Sequence, residues 1–474
     1  MNTQPKKKNH FRSLFLIFKN KKVLISIIVT LSILILFRIG SVIPLPYIKL
    51  NGNFNSQGSF FSIINLLGGG GLSQFSIFAI GIGPFITAQI IMQLLSTELI
   101  PPLARLQKSG ERGRKKIEVI TRIITLPLAI MQAVVIINLL TRNNGFVSIA
   151  QNAPFQAGSA LFYCLYIFVM VAGTYIALFL ADLISKKGVG NGVTLLILTG
   201  IVASLFNQFS GILRNLGAIS NERTSQIIGF LLYIMFYLMI LIGVVFINNS
   251  TRKIPVQQTG QALILDYNKL PYLPIKIMTA GVMPVIFAST ILAIPAQVSE
   301  FLDHSSHGYF IIQNYFIIDS WTGLGIYVIL ILLFTFFFSY VQLNPPKMAE
   351  DIKKAGRFIP GIKVGLETEK HITKIIHRMN WIGAPILAFL AALPHLVALT
   401  AKTINNNVPV IQSAQIFGGT SLIIMVTATL ELWNAIKSAS TTTSYSYQRK
   451  ELETAISLKS MNENDAQNKK SQIW

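Results

Sequence analysis

Ten stretches of roughly 20 apolar residues constrain this chain more than any other feature, at about 23–43, 75–95, 118–140, 159–181, 189–210, 227–247, 277–298, 321–343, 378–399 and 411–433. Each is long enough to cross a hydrocarbon core as a helix. No water reaches that core, so a spanning segment must satisfy its own backbone, and only helices and closed barrels do so. Apolar runs this long, without strict alternation, select the helix. Composition agrees: 52% of residues are hydrophobic and 12% charged, against about 25% charged in soluble domains. The expected fold class is an all-α polytopic membrane protein.

Charge then orients the spans. The formal charge of +22 is distributed very unevenly. Segments 1–22, 96–116, 182–190, 248–275, 344–376 and 434–474 hold 31 Lys and Arg, whereas 44–74, 141–158, 213–226, 299–320 and 400–410 hold 5. Lys and Arg accumulate in cytoplasmic loops, so both termini are expected inside. The basic start (Lys6, Lys7, Lys8, Arg12, Lys19, Lys21, Lys22) resembles a signal peptide, but the apolar run continues to about Ile43. That exceeds a cleavable core of roughly 7–15 residues, and a retained first span is expected.

One pattern occurs twice within these spans, offset by 200 residues: Gly81, Pro84, Ile86, Ala88, Ile91 and Gly281, Pro284, Ile286, Ala288, Ile291. A helix-interior Pro frees a carbonyl, which is tolerated in a membrane only against protein or a water-filled cavity. Ten spans divide into five and five, so the second half is inverted and each copy falls in the second span of its half. Broken helices at corresponding places in inverted halves point to a path between them. The expected organisation is 1–22 as a basic cytoplasmic segment, 23–212 and 213–433 as the two halves, and 434–474 as a polar cytoplasmic tail. Residues Phe60–Leu72 are apolar yet too short to span, which suggests a re-entrant piece. The four glycines 68–71 within it are expected to act as a hinge.

Little else in the sequence announces chemistry. Cys164 is the single cysteine, which excludes an internal disulfide. Asp303, His304 and His307 suggest a solvated exterior loop rather than a metal site, and Gly188-Val-Gly190-Asn191-Gly192 opens a span rather than a nucleotide loop. No catalytic triad or paired-carboxylate pattern occurs, so an enzyme is not expected. Arg38, Arg122, Asp182, Arg378 and Glu431 all sit near span ends, where they can snorkel. A secondary transporter of a small solute fits the inverted repeat but lacks midplane ionisable groups; an insertase or scaffold without a pore is a further alternative. The midplane instead offers Ile82, Ile86 and Ile286, with Ile82 and Ile86 on one helix face. They form either a hydrophobic constriction that dewets or ordinary helix packing.

These residues resemble the SecY family. Phe75–Pro84 resembles the family's second span, Lys108–Lys116 the loop after it, Gly190-Asn191-Gly192 the start of the fifth span, and Ala280–Ser289 the seventh. Asn344-Pro345, Gly356 and Phe358–Ile362 are similar to its large cytoplasmic loop, and Phe417–Leu422 to its tenth span. The resemblance implies a protein-conducting channel in the bacterial cytoplasmic membrane, with two five-helix halves around an hourglass pore and no cofactor. It implies a pore ring of Ile82, Ile86, Ile197, Ile286 and Ile424. It implies a plug at about 60–74, comprising Phe60, Phe61, Ile63, Ile64, Leu66, Leu67, Gly68, Gly69, Gly70, Gly71 and Leu72. The implied lateral gate carries Gly81, Pro84, Gln89 and Gln93 on span two and Gly281, Pro284, Ser289 and Thr290 on span seven. Through it apolar segments of secretory precursor polypeptides would reach membrane lipids.

Loops 248–275 and 344–376, with Arg252, Lys253, Arg357 and Lys363, would contact the SecA motor or the ribosome, and SecE and SecG would be the other subunits. Two departures stand out. Lys363-Val364 replaces the family's Arg-Pro, and Lys lacks the planar fork of Arg. Gln257, Gln258 and Thr259 stand where relatives are more basic, which weakens a contact to anionic RNA.

Overall fold

The computed structural model describes residues 21–50, 65, 68–96, 100–142, 147–149, 159–217, 223–258, 271–299, 302, 306–318, 320–404 and 421–439. Helices dominate. In the first half they are α1 (Lys21–Val42), α2 (Gly83–Leu94), α3 (Pro101–Lys108), α4 (Glu111–Arg142), α5 (Ala160–Lys187) and α6 (Gly192–Gly217). The second half has α7 (Arg223–Asn249), α8 (Met283–Ser299), α9 (His307–Tyr315), α10 (Trp321–Leu343), α11 (Pro345–Lys354) and α12 (Leu366–Ile404), with α13 at Ser421–Ala439. Among the described residues six helices are long and apolar enough to cross a membrane by length and composition. Large apolar side chains such as Phe168, Phe206, Met239 and Phe246 stand on the outer surface, as they do where lipid is the solvent. This is a multi-pass membrane protein.

The two repeat-bearing spans are not continuous helices. Segments 75–82 and 277–282 are turns, and the helices begin only at Gly83 and Met283. Gly81 and Gly281 adopt left-handed backbone with φ of 58° and 59°, a conformation that is nearly free only for Gly. Pro84 and Pro284 then occupy the second helical position, where a missing N–H breaks no intrahelical bond. The expectation of a proline inside a bent helix is therefore corrected: Gly and Pro together start a helix. The non-helical backbone before it finds partners in the protein. Leu45 N–H donates to the Phe75 carbonyl at 2.8 Å, and Ile277 N–H donates to Ser250 at 3.0 Å.

The likeness between the halves extends beyond the identical residues. A Cβ on Gly173 of α5 would lie 2.0 Å from the Ile77 carbonyl oxygen, and one on Gly383 of α12 would lie 2.9 Å from that of Ile277. Both turns thus rest against a glycine of a neighbouring helix.

Three short antiparallel sheets tie the loops. Strand β1 (Ile48–Leu50) pairs with β2 (Val147–Ile149) on one side, and the Tyr166 hydroxyl donates to the Pro46 carbonyl at 2.7 Å beside them. In the basic loop after α7, β3 (Thr251–Pro255) pairs with β5 (Tyr272–Lys276). There β4 (Gln257–Gln258) pairs with β6 (Arg357–Phe358), so the described parts of loops 248–275 and 344–376 form one platform. Ile254, Ile275, Ile352, Ile359, Ile372, Ile375, Ile376 and Met379 form its apolar core. The exterior loop expected at 299–320 contains α9, which includes His307, whereas Asp303 and His304 lie outside the described residues.

Candidate functional site

Helix α2 starts with Ile82 as its N-cap, and the Ile86 N–H donates to the Ile82 carbonyl at 3.1 Å. Helix α8 repeats this: the Ile286 N–H donates to the Val282 carbonyl at 3.3 Å. The shared turn therefore sets Ile86 and Ile286 at the same place, one turn into each helix. Ile197 lies one turn and a half into α6, after the left-handed Gly190 and after Gly192, whose own Cβ would strike the Ala181 carbonyl. Ile424 lies on α13. All five isoleucines are at most 5% exposed and belong to one apolar cluster that spans both halves.

The residues expected at the gate divide by environment. Ser289 and Thr290 are buried, and both hydroxyls donate to the Ile286 carbonyl at 2.8 Å. On the other helix the Thr87 hydroxyl donates to the Gly83 carbonyl at 3.2 Å. Gln89 is exposed and Gln93 half-buried. Helices α2 and α8 touch each other, but each packs far more extensively within its own half, α2 on α4 and α8 on α10.

Of the implied plug, Phe60, Phe61, Ile63, Ile64, Leu66 and Leu67 lie outside the described residues. Gly68, Gly69, Gly71 and Leu72 are buried and Gly70 half-buried. The glycine run differs from the expected hinge, because it is packed backbone to backbone. A Cβ on Gly81 would sit 2.4 Å from the Gly68 Cα, and one on Gly200 would sit 2.2 Å from the Gly69 Cα. A Cβ on Gly69 would in turn meet the Phe37 ring at 2.8 Å. Only residues without side chains allow three backbone segments to approach this closely.

The polar residues near the span ends are more engaged than snorkelling implies. The Arg38 guanidinium donates to the Ser41 hydroxyl at 3.2 Å and reaches the Gly69 carbonyl at 3.4 Å. Arg122 forms two ion pairs at 2.6 Å, with Glu118 on its own helix and Asp182 on α5. No Asp, Glu, Lys, Arg or His is fully buried among the described residues, and the same residues contain no group of metal-ligating side chains.

Arg252, Lys253, Arg357 and Lys363 are exposed on the platform. Lys253 Nζ lies 4.8 Å from the centre of the Tyr272 ring. Lys363 lies on a turn between Gly361 and Gly365, both left-handed, with exposed Val364 beside it. The β4–β6 pairing that links the two loops was not legible beforehand, since two-residue strands about 100 residues apart leave no periodic signal.

A family model described as SecY matches residues 76–433. The protein translocase subunit SecY of Mycoplasmoides gallisepticum is 49% identical over 461 residues, which cover 96% of this chain and 89% of that protein. That of Bacillus subtilis is 37% identical over 417 residues, 87% of this chain and 93% of that protein. A solved structure described as "The structure of a protein conducting channel" superposes with a TM-score of 0.62 at 19% identity, covering 88% of this chain and 92% of that one, and so shows the same fold.

Proposed function

This chain belongs to the SecY family and is a subunit of a protein translocation channel, not an enzyme; from that premise we propose that its two halves enclose a pore closed by Ile82, Ile86, Ile197, Ile286 and Ile424. One observation carries the proposal: five isoleucines from four helices of both halves, each nearly inaccessible, share one apolar cluster. A constriction of branched aliphatics excludes ions and water by dewetting yet deforms around an extended polypeptide. Residues 60–74 act as the plug, and Gly68–Leu72 are its anchored base. Helices α2 and α8 form the lateral gate through which apolar segments leave for lipid, and their small contact supports this role.

The segregation of 31 against 5 basic residues supports cytoplasmic termini and a platform facing the cytoplasm. There Arg252, Lys253, Arg357 and Lys363 meet the SecA motor or ribosomal RNA, with SecE and SecG as partner subunits. Gln257 and Gln258 reduce the positive charge of that surface, so RNA contact is weaker than in more basic relatives.

Ion conductance across planar bilayers tests the ring. Ile86→Asn and Ile286→Asn each bury an amide without a partner, at about 1–3 kcal/mol. The closed state should lose roughly 5- to 150-fold in population, read as increased leak and as acceptance of precursors with poor signals. Wild-type leak and wild-type stringency in both variants would refute the assignment. A stalled precursor should also crosslink to probes at positions 82 and 424, and its failure to reach either would remove the channel path from this ring.

A further inference from the structure

Helix α13 carries a polar face that the ring leaves unexplained. Ile424, Thr427 and Glu431 follow at spacings of three and four and therefore share one face. Thr427 is 1% exposed, and its hydroxyl has no hydrogen-bond partner among the described residues. Buried hydroxyls are nearly always bonded. Glu431 Oε1 lies 3.7 Å from where a Cβ on Gly281 would stand, beside the turn that starts α8. The charge of Lys276, the last residue of β5, also reaches the Glu431 carboxylate, at longer range than an ion pair. One residue further, Leu432 Cδ1 lies 3.6 Å from the Cβ position of Gly190, so this end of α13 abuts the turn before α6 as well. Seven residues at 1.5 Å each place the carboxylate about 10 Å along the helix from Ile424. That position is toward the basic face and next to the start of a gate helix.

We infer that Glu431 contacts the translocating chain: its carboxylate receives the basic residues that precede an apolar segment as that segment enters between α2 and α8. The inference rests on the channel reading above. Segments addressed for export carry Lys or Arg ahead of a short apolar run. As the run moves sideways between the gate helices, those residues stay at the mouth, where Glu431 offers the complementary charge. Lys276 acts on the carboxylate only at a distance, so the incoming cation displaces no ion pair. The vacant Thr427 hydroxyl provides the next polar contact between the mouth and the ring. On a face otherwise rich in Lys and Arg, one carboxylate at the gate selects for positive charge at that point alone.

The test uses the assembled complex in proteoliposomes and three precursors that differ only in having no, two or four lysines before the apolar core. Wild type should transport the most basic precursor best. Glu431→Gln should reduce the ratio between most and least basic precursors by about fivefold, the scale of one partly solvated ion pair, without slowing the uncharged precursor. Lys276→Gln, which removes a competing positive charge near the carboxylate, should raise the same ratio. An unchanged ratio in either variant, or an equal loss for all three precursors in Glu431→Gln, would overturn the inference. Should Glu431→Gln fail to assemble, the Lys276→Gln ratio decides alone. A wild-type complex that carried none of the precursors would instead sink the channel reading itself.

Discussion

Gly81→Ala and Gly281→Ala make the same change in the same backbone conformation, yet they should differ in consequence. Both glycines are left-handed, at φ of 58° and 59°, so Ala at either position introduces about 1–2 kcal/mol of strain. The surroundings then diverge. At position 281 the new methyl meets only Glu431 Oε1 at 3.7 Å, an ordinary contact. At position 81 it would lie 2.4 Å from the Gly68 Cα and 2.6 Å from its carbonyl carbon and oxygen. Carbon atoms rest at about 3.5–4.0 Å, so the glycine run must retreat by roughly 1 Å. It has little room to do so, because Gly69 already abuts Gly200 and the Phe37 ring. Overpacking of this kind adds about 1–3 kcal/mol. Gly281→Ala should therefore lose about 1–2 kcal/mol and Gly81→Ala about 2–5. Gly110, at φ of 80° with nothing within 4 Å of its Cβ position, supplies the strain-only reference. Thermal unfolding of the purified protein in detergent, followed by tryptophan fluorescence, should rank the variants as Gly110→Ala close to Gly281→Ala and well above Gly81→Ala. Equal losses at 81 and 281 would refute the packed-glycine account and restore the mobile hinge.

Two further variants probe the supports of the site. Arg122→Gln removes both ion pairs of Arg122 and leaves Asp182 without its partner; partial exposure limits the loss to about 1 kcal/mol. Adding Asp182→Asn should recover part of that loss in a double-mutant cycle, and strictly additive losses would show that the pair is not coupled. Ile372→Ala opens a cavity in the platform core, where Ile372 is 0% exposed, and should destabilise that unit by about 2–5 kcal/mol. Limited trypsin digestion should then cut faster after Arg252, Arg357 and Lys363 without raising ion leak, and increased leak would show that the platform and the ring are one cooperative unit.

How far the sequence was legible depends on the kind of force involved. Hydropathy finds what lipid enforces: the span read at 321–343 is the helix Trp321–Leu343, bounded by a Ser320 cap at one end and left-handed Asn344 at the other. It does not find where a helix starts inside an apolar segment. The turns at 75–82 and 277–282 are as apolar as the helices after them, and only the spacing from Gly81 to Pro84, and from Gly281 to Pro284, carried the information. The glycine on which each turn rests escaped because Gly173 and Gly383 stand 210 residues apart rather than 200, so no fixed offset aligns them. Polar helix is invisible to hydropathy too, and α12 therefore begins at Leu366, well before the apolar part of its span.

A channel of this kind has to hold water out while keeping one seam that can part, and the two demands conflict only if the same interactions serve both. With the proposed gate between α2 and α8, they are divided. The extensive contacts run within each half, α2 on α4 and α5 on α6 in one, α8 on α10 and α10 on α12 in the other. At the seam the buried hydroxyls of Thr87, Ser289 and Thr290 bond to carbonyls of their own helices. A hydrogen bond across the seam would have to be broken on opening, and a freed buried partner costs about 1–3 kcal/mol. Hydroxyls satisfied within each helix carry no such penalty when α2 and α8 separate. On the proposed assignment, what resists opening is the apolar contact of the ring isoleucines, which is non-directional and can be replaced by any sufficiently apolar segment or by lipid. A polar segment offers no such replacement. On this division of forces the seam discriminates by hydrophobicity alone, and the charge preference assigned to Glu431 acts at the mouth, before the seam is reached.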